Sequence, residues 1–396
     1  MGALALLAVA CSSSPSSPPT PTPPSPDGGA ASTCASSTSC AGPKPGGCAR
    51  PFLFGCSITC DPGLADCNGD LSDGCEVDFV HDVGNCGVCG ARATSCTNGL
   101  AGSPPEELFE CGYRVEGLAV DATNLYVMSD GVLQSTPKSG GTKTKLAEGE
   151  WTYADAGLQL DDGFLYWAWR STTKTGRVRR VPAVGGAIEN VISGVSPGSN
   201  VLVHAGVAYV IDTSTDGDSG RVVDSTGRNV IACETTGSLA SIGEVLYVSD
   251  RLGIHSVNFD GSDPKTLSSA RGLVVSNGTT LAILSNGYAT YQPGTGFSKL
   301  SPLGARVDGA MLGSHDDVVW IQGAALRDDT WFGGKSVLIG IDLKSHHEMV
   351  RASITPNAGL ANPGQKIGPM AEDESFVYFG TSGSLAKAAT ISRVAK

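Results

Sequence analysis

Short apolar segments centred on an aromatic residue recur between residues 124 and 382, and a polar turn follows each one. Their third residues are 40, 43, 38, 35, 38 and 58 positions apart. A period near forty, built from short β-rich segments and glycine turns, is typical of β-propeller blades. The pattern predicts an all-β fold with a seven-bladed β-propeller over residues 108–396. Six blades is the alternative, because the fifth copy has Ala282 in place of the aromatic. The seven copies are NLYVMSD (124–130), FLYWAWR (164–170), VAYVIDT (207–213), VLYVSDR (245–251), TLAILSN (280–286), VVWIQG (318–323) and FVYFGTS (376–382).

Two further patterns complete each predicted blade. A strand–turn–strand unit follows the aromatic segment, with Gly-Gly, Thr-Gly or Asp-Gly at its centre, which is hairpin turn chemistry. A short apolar strand, such as 118–121, 239–242 or 273–276, precedes the aromatic segment, so each blade has four strands. Amphipathic strands bury their aromatics, which favours inter-blade packing over a ligand cage for the anchor residues. These anchors are Tyr126, Tyr166, Tyr209, Tyr247 and Trp320.

The seventh copy is shorter than the others. After FVYFGTS the sequence ends with ATISRVAK (389–396), so an outer strand is missing from the last blade. An open ring would expose an unpaired sheet edge. We therefore expect residues around 109–116, ahead of the first blade, to supply that strand.

The first eleven residues, MGALALLAVAC, are apolar up to Cys11, and small residues (Ala8-Val9-Ala10) precede it. This order resembles the signal and lipobox of bacterial lipoproteins. The resemblance implies that Cys11 is lipidated and attaches the protein to a membrane. The alternative is an ordinary secretory peptide cleaved near Ala10. Residues 12–33 are a Ser/Pro/Thr-rich linker that would act as a semi-rigid spacer.

Residues 34–107 form a candidate cysteine-rich module with little apolar content. In an exported chain such cysteine density indicates a disulfide framework in place of a hydrophobic core. Zinc binding by Cys86-Gly-Val-Cys89 is less favoured, because no second pair with finger-like spacing follows. The predicted disulfide cysteines are Cys34, Cys40, Cys48, Cys56, Cys60, Cys67, Cys75, Cys86, Cys89, Cys96 and Cys111.

The number of cysteines leaves the bonding state of two of them undecided. The ten from Cys34 to Cys96 can close five bridges among themselves, which leaves Cys111 and Cys233. A bridge between these two would join opposite sides of a propeller, beyond the reach of a disulfide. Either the module folds over the ring and bonds to Cys233, or Cys233 is a buried free thiol, the commoner state of a lone strand cysteine.

The stretch DCNGDLSDGCE (66–76), followed by NCGVCG (85–90), resembles a repeat in cysteine-rich surface and secreted lipoproteins of myxobacterium-type bacteria. In those proteins such a module precedes a larger extracellular domain. The resemblance implies a location and a module type, and no activity.

The same stretch offers oxygen ligands for a hard cation. Asp66, Asn68 and Asp70 alternate along the chain, with Asp73 and Glu76 behind them, and calcium takes six to eight such oxygens. The spacing fails the EF-hand pattern. Calcium is thus a possible cofactor, and solvated turn carboxylates are the alternative.

Charge and motifs restrict the function. A net charge of −12 provides no basic face for nucleic acid. No complete phosphate-loop or nucleophile-elbow motif occurs. His204, His255 and His315 fall in different blades, which favours chance scatter over a channel site.

The favoured function is an exported, lipid-anchored binding protein that is not an enzyme and presents propeller loops at the cell surface. Its partner is an unidentified protein or glycan, and the outer membrane, periplasm and medium all remain open as its location. The insertion in blade six, with Trp331 and Phe332, is the candidate binding loop, since long loops on rigid scaffolds carry function. The alternative is an extracellular or periplasmic propeller hydrolase or lyase that uses the central channel.

Overall fold

The fold was obtained as a computed structural model of the chain. Among the residues described, no helix is long and apolar enough to cross a membrane. The structure describes residues 43–44, 47–52, 55–61, 63–68, 70, 73–87, 89–149, 157–170, 176–198, 200–213, 219–234, 237–285, 287–302, 305–312, 317–325, 336–344, 348–354, 367–381 and 388–396.

Seven antiparallel sheets follow one another along the chain and form the blades of a propeller. The prediction of seven blades is confirmed, and the fifth aromatic segment, with Ala282, is a true blade. Blade 1 contains β9 (Val115–Val120), β10 (Asn124–Ser129), β11 (Val132–Pro137) and β12 (Thr144–Glu148); blade 2 contains β13 (Leu158–Asp161), β14 (Phe164–Arg170), β15 (Gly176–Pro182) and β16 (Glu189–Val195); blade 3 contains β17 (Leu202–His204), β18 (Val207–Asp212), β19 (Ser219–Asp224) and β20 (Asn229–Glu234); blade 4 contains β21 (Ser238–Ile242), β22 (Val245–Ser249), β23 (Ile254–Asn258) and β24 (Lys265–Ser268).

The remaining blades repeat this order, with one addition and one exception. Blade 5 splits its outer edge between two short strands that both pair with β27. Blade 7 takes its fourth strand from a distant part of the chain. Blade 5 contains β25 (Leu273–Ser276), β26 (Leu281–Leu284), β27 (Gly287–Gln292), β28 (Gly296–Phe297) and β29 (Ser301–Pro302); blade 6 contains β30 (Ala305–Leu312), β31 (Val318–Ala325), β32 (Ser336–Asp342) and β33 (Glu348–Ile354); blade 7 contains β34 (Ile367–Glu372), β35 (Phe376–Thr381) and β36 (Ala389–Ala395), with β8 (Glu106–Cys111) outermost.

The ring closes through β8, which pairs antiparallel with β36. Ile391 lies opposite Phe109, and Arg393 lies opposite Glu106, where their side chains form an ion pair of 2.8 Å. The predicted closure is confirmed, although the strand lies a few residues earlier than 109–116. The last blade therefore has no unpaired outer edge along β36.

The anchor aromatics pack between neighbouring blades. Tyr126 belongs to a cluster with Trp167 of blade 2, and Trp320 to one with Phe379 of blade 7. Tyr378 packs on Leu125 of blade 1, which continues the apolar contacts across the closure. These five anchors, and Ala282 and Tyr378 at the equivalent positions of the other two blades, are at most 3 % exposed. The prediction that they are core residues is confirmed.

Two of the buried tyrosines bond to the turn that begins their own strand. The hydroxyl of Tyr126 donates to Asp121 at 2.7 Å, and that of Tyr378 donates to Asp373 at 2.9 Å. Burial, together with these carboxylates, raises the pKa of each tyrosine to about 12. The same carboxylates accept backbone amides of their turns, for example Asn124 N–H at 2.7 Å on Asp121. In both blades, an aspartate five residues before the tyrosine thus accepts the hydrogen bond of its hydroxyl and also orders the turn.

Asp373 also forms an ion pair across the ring closure with Lys138 of blade 1, at 2.7 Å. Burial alone would raise the pKa of Asp373, but the hydrogen bond from Lys138 and those from its own turn outweigh it and lower the pKa to about 2. Because the folded pKa lies below the ordinary 3.8, the stabilisation is complete above that value and is lost as the pH falls through about 2. The shift corresponds to about 2 kcal/mol of stability at neutral pH.

Asp373→Asn should therefore lower the free energy of unfolding by about 2 kcal/mol at pH 7, and the deficit should shrink as the pH falls from 4 towards 2. Urea unfolding across this range measures it. Asp263→Asn is the matched control, since the Asp263–Lys265 pair is 58 % and 59 % exposed and should contribute about 0.5 kcal/mol or less. Equal losses in both variants, or a deficit that does not change with pH, would contradict the assignment.

The cysteine-rich module contains short strands linked by disulfides. Three bridges are described: Cys60–Cys75, Cys67–Cys89 and Cys86–Cys96. The preference for disulfides over zinc at Cys86 and Cys89 is thus confirmed. The module strands are β1 (Pro43–Lys44), β2 (Gly47–Phe52), β3 (Gly55–Cys60), β4 (Leu64–Ala65), β5 (Val77–Asp78), β6 (Cys96–Thr97) and β7 (Leu100–Ala101).

One disulfide prediction is wrong. Cys111 is a buried cysteine of β8 that is not disulfide-bonded, since its side chain lies in the apolar cluster between blades 7 and 1, where its sulfur accepts the side-chain amide of Gln134 at 3.8 Å. Cys233 is a buried free thiol, which confirms one of the two alternatives that the sequence left open for it. Cys34 and Cys40 lie outside the described residues, and Cys48 and Cys56 lie on strands whose side chains are not described.

The end of the module contacts blade 6. Strand β7 packs along the outer strand β33, and Leu100 joins the apolar cluster between blades 5 and 6. Arg351 of β33 is 8 % exposed and lies so close to Gly102 that a Cβ there would be 2.5 Å from its Nη1. Its guanidinium also donates to the carbonyl of Ala395 in blade 7. The module is therefore held against the ring at blade 6, away from Cys233 in blade 3.

Candidate functional site

Strands β14 and β15 of blade 2 together carry an arginine–tryptophan face, formed by Trp169 of β14 and by Arg177 and Arg179 of β15. Trp169 lies opposite Arg177 in the register of β14 and β15. The guanidinium carbons of Arg177 and Arg179 lie over the indole ring, 4.7 and 5.7 Å from its centroid. All three side chains are half-buried, and Trp169 packs its inner side on the cluster between blades 1 and 2. Two cations are thus fixed by one ring at a blade boundary.

The two arginines of this face differ in their described partners. Arg177 forms no ion pair within the described part of the chain. Arg179 donates its Nε–H to the neutral Oδ1 of Asn190 at 3.1 Å. In a chain of net charge −12 this makes a local positive site on a largely acidic protein.

The third arginine of β15, Arg180, differs from the other two because its charge is paired with a carboxylate. Arg180 points to the other face of the sheet, where it pairs with Glu189 at 2.8 Å and donates to the hydroxyl of Tyr166 at 3.3 Å. Its guanidinium also lies over the ring of Phe164. These bonds to Tyr166 and Glu189 raise the pKa of Arg180. Its role is therefore structural, and it provides a control for its two neighbours.

Sequence reasoning missed this face. The segment RVRRVPAVGG was interpreted only as the hairpin of blade 2. The signal that could have found it is the density of three arginines in four residues within an acidic chain. The strand period of two puts Arg177 and Arg179 on one side with Val181, and Arg180 on the other.

Of the three histidines considered for a channel site, His204 and His255 are described, and these two do not converge. His204 stacks on Phe259 at 4.0 Å and lies 3.1 Å from Glu244, which precedes β22. His255 lies 3.3 Å from Asp250, which follows β22. The two imidazoles are thus at opposite ends of one strand, as chance scatter predicts. His315 lies outside the described residues.

The side chains around His255 are arranged in the order of a catalytic triad: a hydroxyl, a histidine and an aspartate. Its Nδ1 is 3.2 Å from the hydroxyl of Thr266, and its Nε2 faces Asp250. However, Asp250 also accepts the backbone amides of Leu252 and Glu234, at 2.7 and 3.0 Å, and so holds the loop that leads into blade 4. This is turn chemistry that recurs at Asp212, which accepts the Ser196 amide. We assign the group to the scaffold.

The free thiol nearest to this group is not activated. Burial, followed by the charge of Asp250, raises the pKa of Cys233 to about 12. A thiol is nucleophilic only as thiolate, and at neutral pH this one stays protonated. Cys233 is therefore a core residue, in a cluster with Tyr209 and Leu239.

The predicted calcium residues use part of their oxygen atoms internally. Asp73 accepts the side-chain amide of Asn68 at 2.8 Å, and Asn68 accepts the amide of Asp70 at 2.6 Å. Glu76 accepts the amide of Cys67 at 3.0 Å. Among the described residues, no group of three or more His, Cys, Asp or Glu side chains is placed to hold a metal ion.

Three predicted functional positions cannot be located in the fold. Cys11, Trp331 and Phe332 lie outside the described residues. Within the described residues, the candidate for an interaction surface is therefore the arginine–tryptophan face of blade 2.

Neither a protein-family model nor a curated protein matches the chain. Solved structures with a similar fold include the β-propeller domain of the Trilobed protease from Pyrococcus furiosus, described as having an open velcro topology, with 8 % identity and a TM-score of 0.47. That match covers 72 % of this chain and 94 % of the other.

Two further structures are similar at the same level. The computationally designed Ika8 protein has 11 % identity over 72 % of this chain and 98 % of its own, with a TM-score of 0.45. A Nidogen/Laminin complex has 15 % identity over 48 % of this chain and 81 % of the other, with a TM-score of 0.38. Similarity at this level contributes nothing to the assignment of function.

Proposed function

We propose that this chain is an exported, lipid-anchored binding protein whose propeller holds a rigid site for an anionic partner. The observation that carries the proposal is the arginine–tryptophan face of blade 2. Its two guanidinium groups are fixed over one ring, and Arg177 has no carboxylate partner among the described residues. The disulfides of the module are consistent with an exported protein.

The propeller scaffold holds the arginine–tryptophan face in a fixed position, which favours binding. Each blade packs on the next through a buried cluster, and β8 closes the ring, so strand β15 has little freedom to move. Binding sites on rigid elements lose less entropy when a ligand binds. A pair of ordered guanidinium groups is suited to carboxylate or phosphate groups, since each guanidinium can donate two parallel hydrogen bonds.

The test is retention of the full chain on a carboxymethyl resin at pH 7 and low salt. A protein of net charge −12 is repelled by such a resin unless a local basic site binds it. We expect the wild type to be retained and the double variant Arg177→Gln/Arg179→Gln to flow through. Arg180→Gln, which removes the compensated arginine, should still be retained.

If the wild type flows through, or if Arg180→Gln abolishes retention as fully as the double variant, the proposed site is wrong. Release of shorter products from an acidic polysaccharide incubated with the full chain, detected by mass spectrometry, would favour the propeller hydrolase or lyase instead.

Attachment to a membrane through Cys11 belongs to the same proposal. It rests on the order of apolar and small residues ahead of that cysteine. Labelled palmitate should enter the wild type and not Cys11→Ala. Equal labelling of both, or of neither, would leave the secretory-peptide alternative.

Calcium binding by Asp66, Asn68, Asp70, Asp73 and Glu76 stays a prediction, and calorimetric titration of the full chain with calcium chloride tests it. An absence of heat would contradict it. A contact loop at Trp331 and Phe332 also stays a prediction, to be tested by partner binding of the variant with both replaced by Ser.

A further inference from the structure

The closing strand β8 is held more firmly at its C-terminal end than at its N-terminal end. Behind the C-terminal end, Asp130 of blade 1 accepts the backbone amides of Tyr113 and Arg114, at 2.5 and 3.2 Å. Lys143, also of blade 1, donates to the carbonyl of Glu110 at 3.3 Å. This end of β8 is therefore fixed to blade 1 as well as to β36.

The N-terminal end of β8 has weaker contacts. Glu106 and Glu107 are exposed, and Glu106 is joined to blade 7 by its ion pair with Arg393. The glutamate of that pair is 58 % exposed, so the pair contributes little to stability. A protein opens locally where its contacts are fewest. A movement of the chain that precedes Glu106 should therefore peel β8 from β36, starting at Glu106.

The hairpin of β6 and β7 contacts the ring immediately before this weaker end. Strand β7 packs along β33 of blade 6, and Leu100 packs on the apolar cluster between blades 5 and 6. Residues 102–105 are the whole connection between β7 and β8. A connection of this length spans at most about 18 Å, so the docked hairpin limits the distance that Glu106 can move.

Arg351 of β33 connects the hairpin, blade 6 and blade 7. Its guanidinium lies against Gly102 and donates to the carbonyl of Ala395, the last residue of β36. Burial lowers the pKa of Arg351, which means that burying its charge costs free energy. The apolar contact of Leu100 and the hydrogen bond to Ala395 offset this cost. The same contact thus positions the hairpin beside the strand on which β8 is paired.

We propose that residues 96–106 form a strap that keeps the ring closed: docked on blade 6, the strap holds the N-terminal end of β8 on β36. The Cys86–Cys96 disulfide attaches the strap to the body of the module. A pull on the module therefore acts on the contact with blade 6 before it reaches β8. The strap involves neither the arginine–tryptophan face nor Cys11, so it goes beyond the proposed function and can be tested separately.

Hydrogen–deuterium exchange of the full chain, measured by mass spectrometry, tests the strap. Leu100→Ser removes its apolar contact with the ring, so β8 should open more often and the amides of β36 (Ala389–Ala395) should exchange about tenfold faster. The amides of β22 (Val245–Ser249), in blade 4, should exchange as in the wild type. Val83→Ser, at a module position that is 49 % exposed, is the matched control and should change neither rate.

A longer strap provides a second test, which removes no contact. The sequence Gly-Ser-Gly-Ser-Gly-Ser, inserted between Ser103 and Pro104, lengthens the connection between β7 and β8. Because the longer loop restrains Glu106 less, the amides of β36 should exchange about fourfold faster. Arg351→Lys keeps the positive charge but loses the planar guanidinium that contacts Gly102 and Ala395, so it should also accelerate this exchange.

Three results would overturn the proposal. Unchanged exchange of β36 in Leu100→Ser would show that the contact with blade 6 does not hold β8. Equal acceleration of β36 and β22 would show a general loss of stability in place of an opened closure. Unchanged exchange after the insertion would show that the connection does not restrain β8. Thermal unfolding of each variant confirms that it is folded.

Discussion

A chain that begins at residue 113 should fail to form a stable propeller, whereas one that begins at residue 105 should fold. Both lack the cysteine-rich module, and they differ by the segment that contains β8 (Glu106–Cys111). Without it, β36 loses its outer partner strand, and the half-buried Leu108 and Phe109 and the buried Cys111 leave the cluster between blades 7 and 1. The loss should be about 4 kcal/mol or more, from apolar burial alone.

The measurement is thermal unfolding combined with size-exclusion chromatography. We expect the longer chain to be monomeric and to unfold cooperatively. The shorter one should melt about 10 °C lower or aggregate through the exposed edge of β36. A peptide of residues 105–112 added in excess should partly restore the melting temperature. Equal melting temperatures of the two chains would show that the closure is not needed for stability.

Trp320→Ala should be the most destabilising single substitution in the ring, with a loss of about 3–5 kcal/mol. The indole is 2 % exposed and fills the space between blades 6 and 7. Its Nε1–H has no described hydrogen-bond partner, so Trp320→Phe removes a buried polar group and should cost clearly less. Urea unfolding measures both, and Val184→Ala, at a site 93 % exposed, should change stability by about 0.5 kcal/mol or less.

Gly340 provides a second measure of how tightly that indole is packed. A Cβ at Gly340 would lie 2.8 Å from Cζ3 of Trp320, so Gly340→Ala should cost about 1–3 kcal/mol by overpacking. Combined with Trp320→Phe, the cost should be less than the sum, since the smaller ring frees the space. Strict additivity would show that the two residues are not in contact.

The repeat made most of the ring predictable. An aromatic in the middle of an apolar strand is read as buried, and Tyr126, Tyr209 and Tyr378 are buried between blades. Even Ala282, which breaks the aromatic pattern, keeps its place, because strand register and turn length define the blade rather than the anchor itself. The closure followed from the physical cost of an open sheet edge.

The candidate site was less predictable, for a different reason. Whether an arginine is compensated depends on which side of the strand it occupies and on what the next strand carries. Arg177 and Arg180 differ by three positions in sequence, yet only Arg180 has Glu189 within reach. The bonding state of Cys111 was equally hard to predict. The number of cysteines does not indicate that the strand of Cys111 leaves the module and joins blade 7.

The docking of the module on blade 6 also divides the ring into two sides. Strand β7 lies on β33, and the chain then enters the ring through β8 in blade 7, so the described end of the module joins the ring at blades 6 and 7. Blade 2 is three blades away from blade 6 in a ring of seven, almost diametrically opposite. The arginine–tryptophan face therefore lies on the half of the ring that the module leaves uncovered within the described residues.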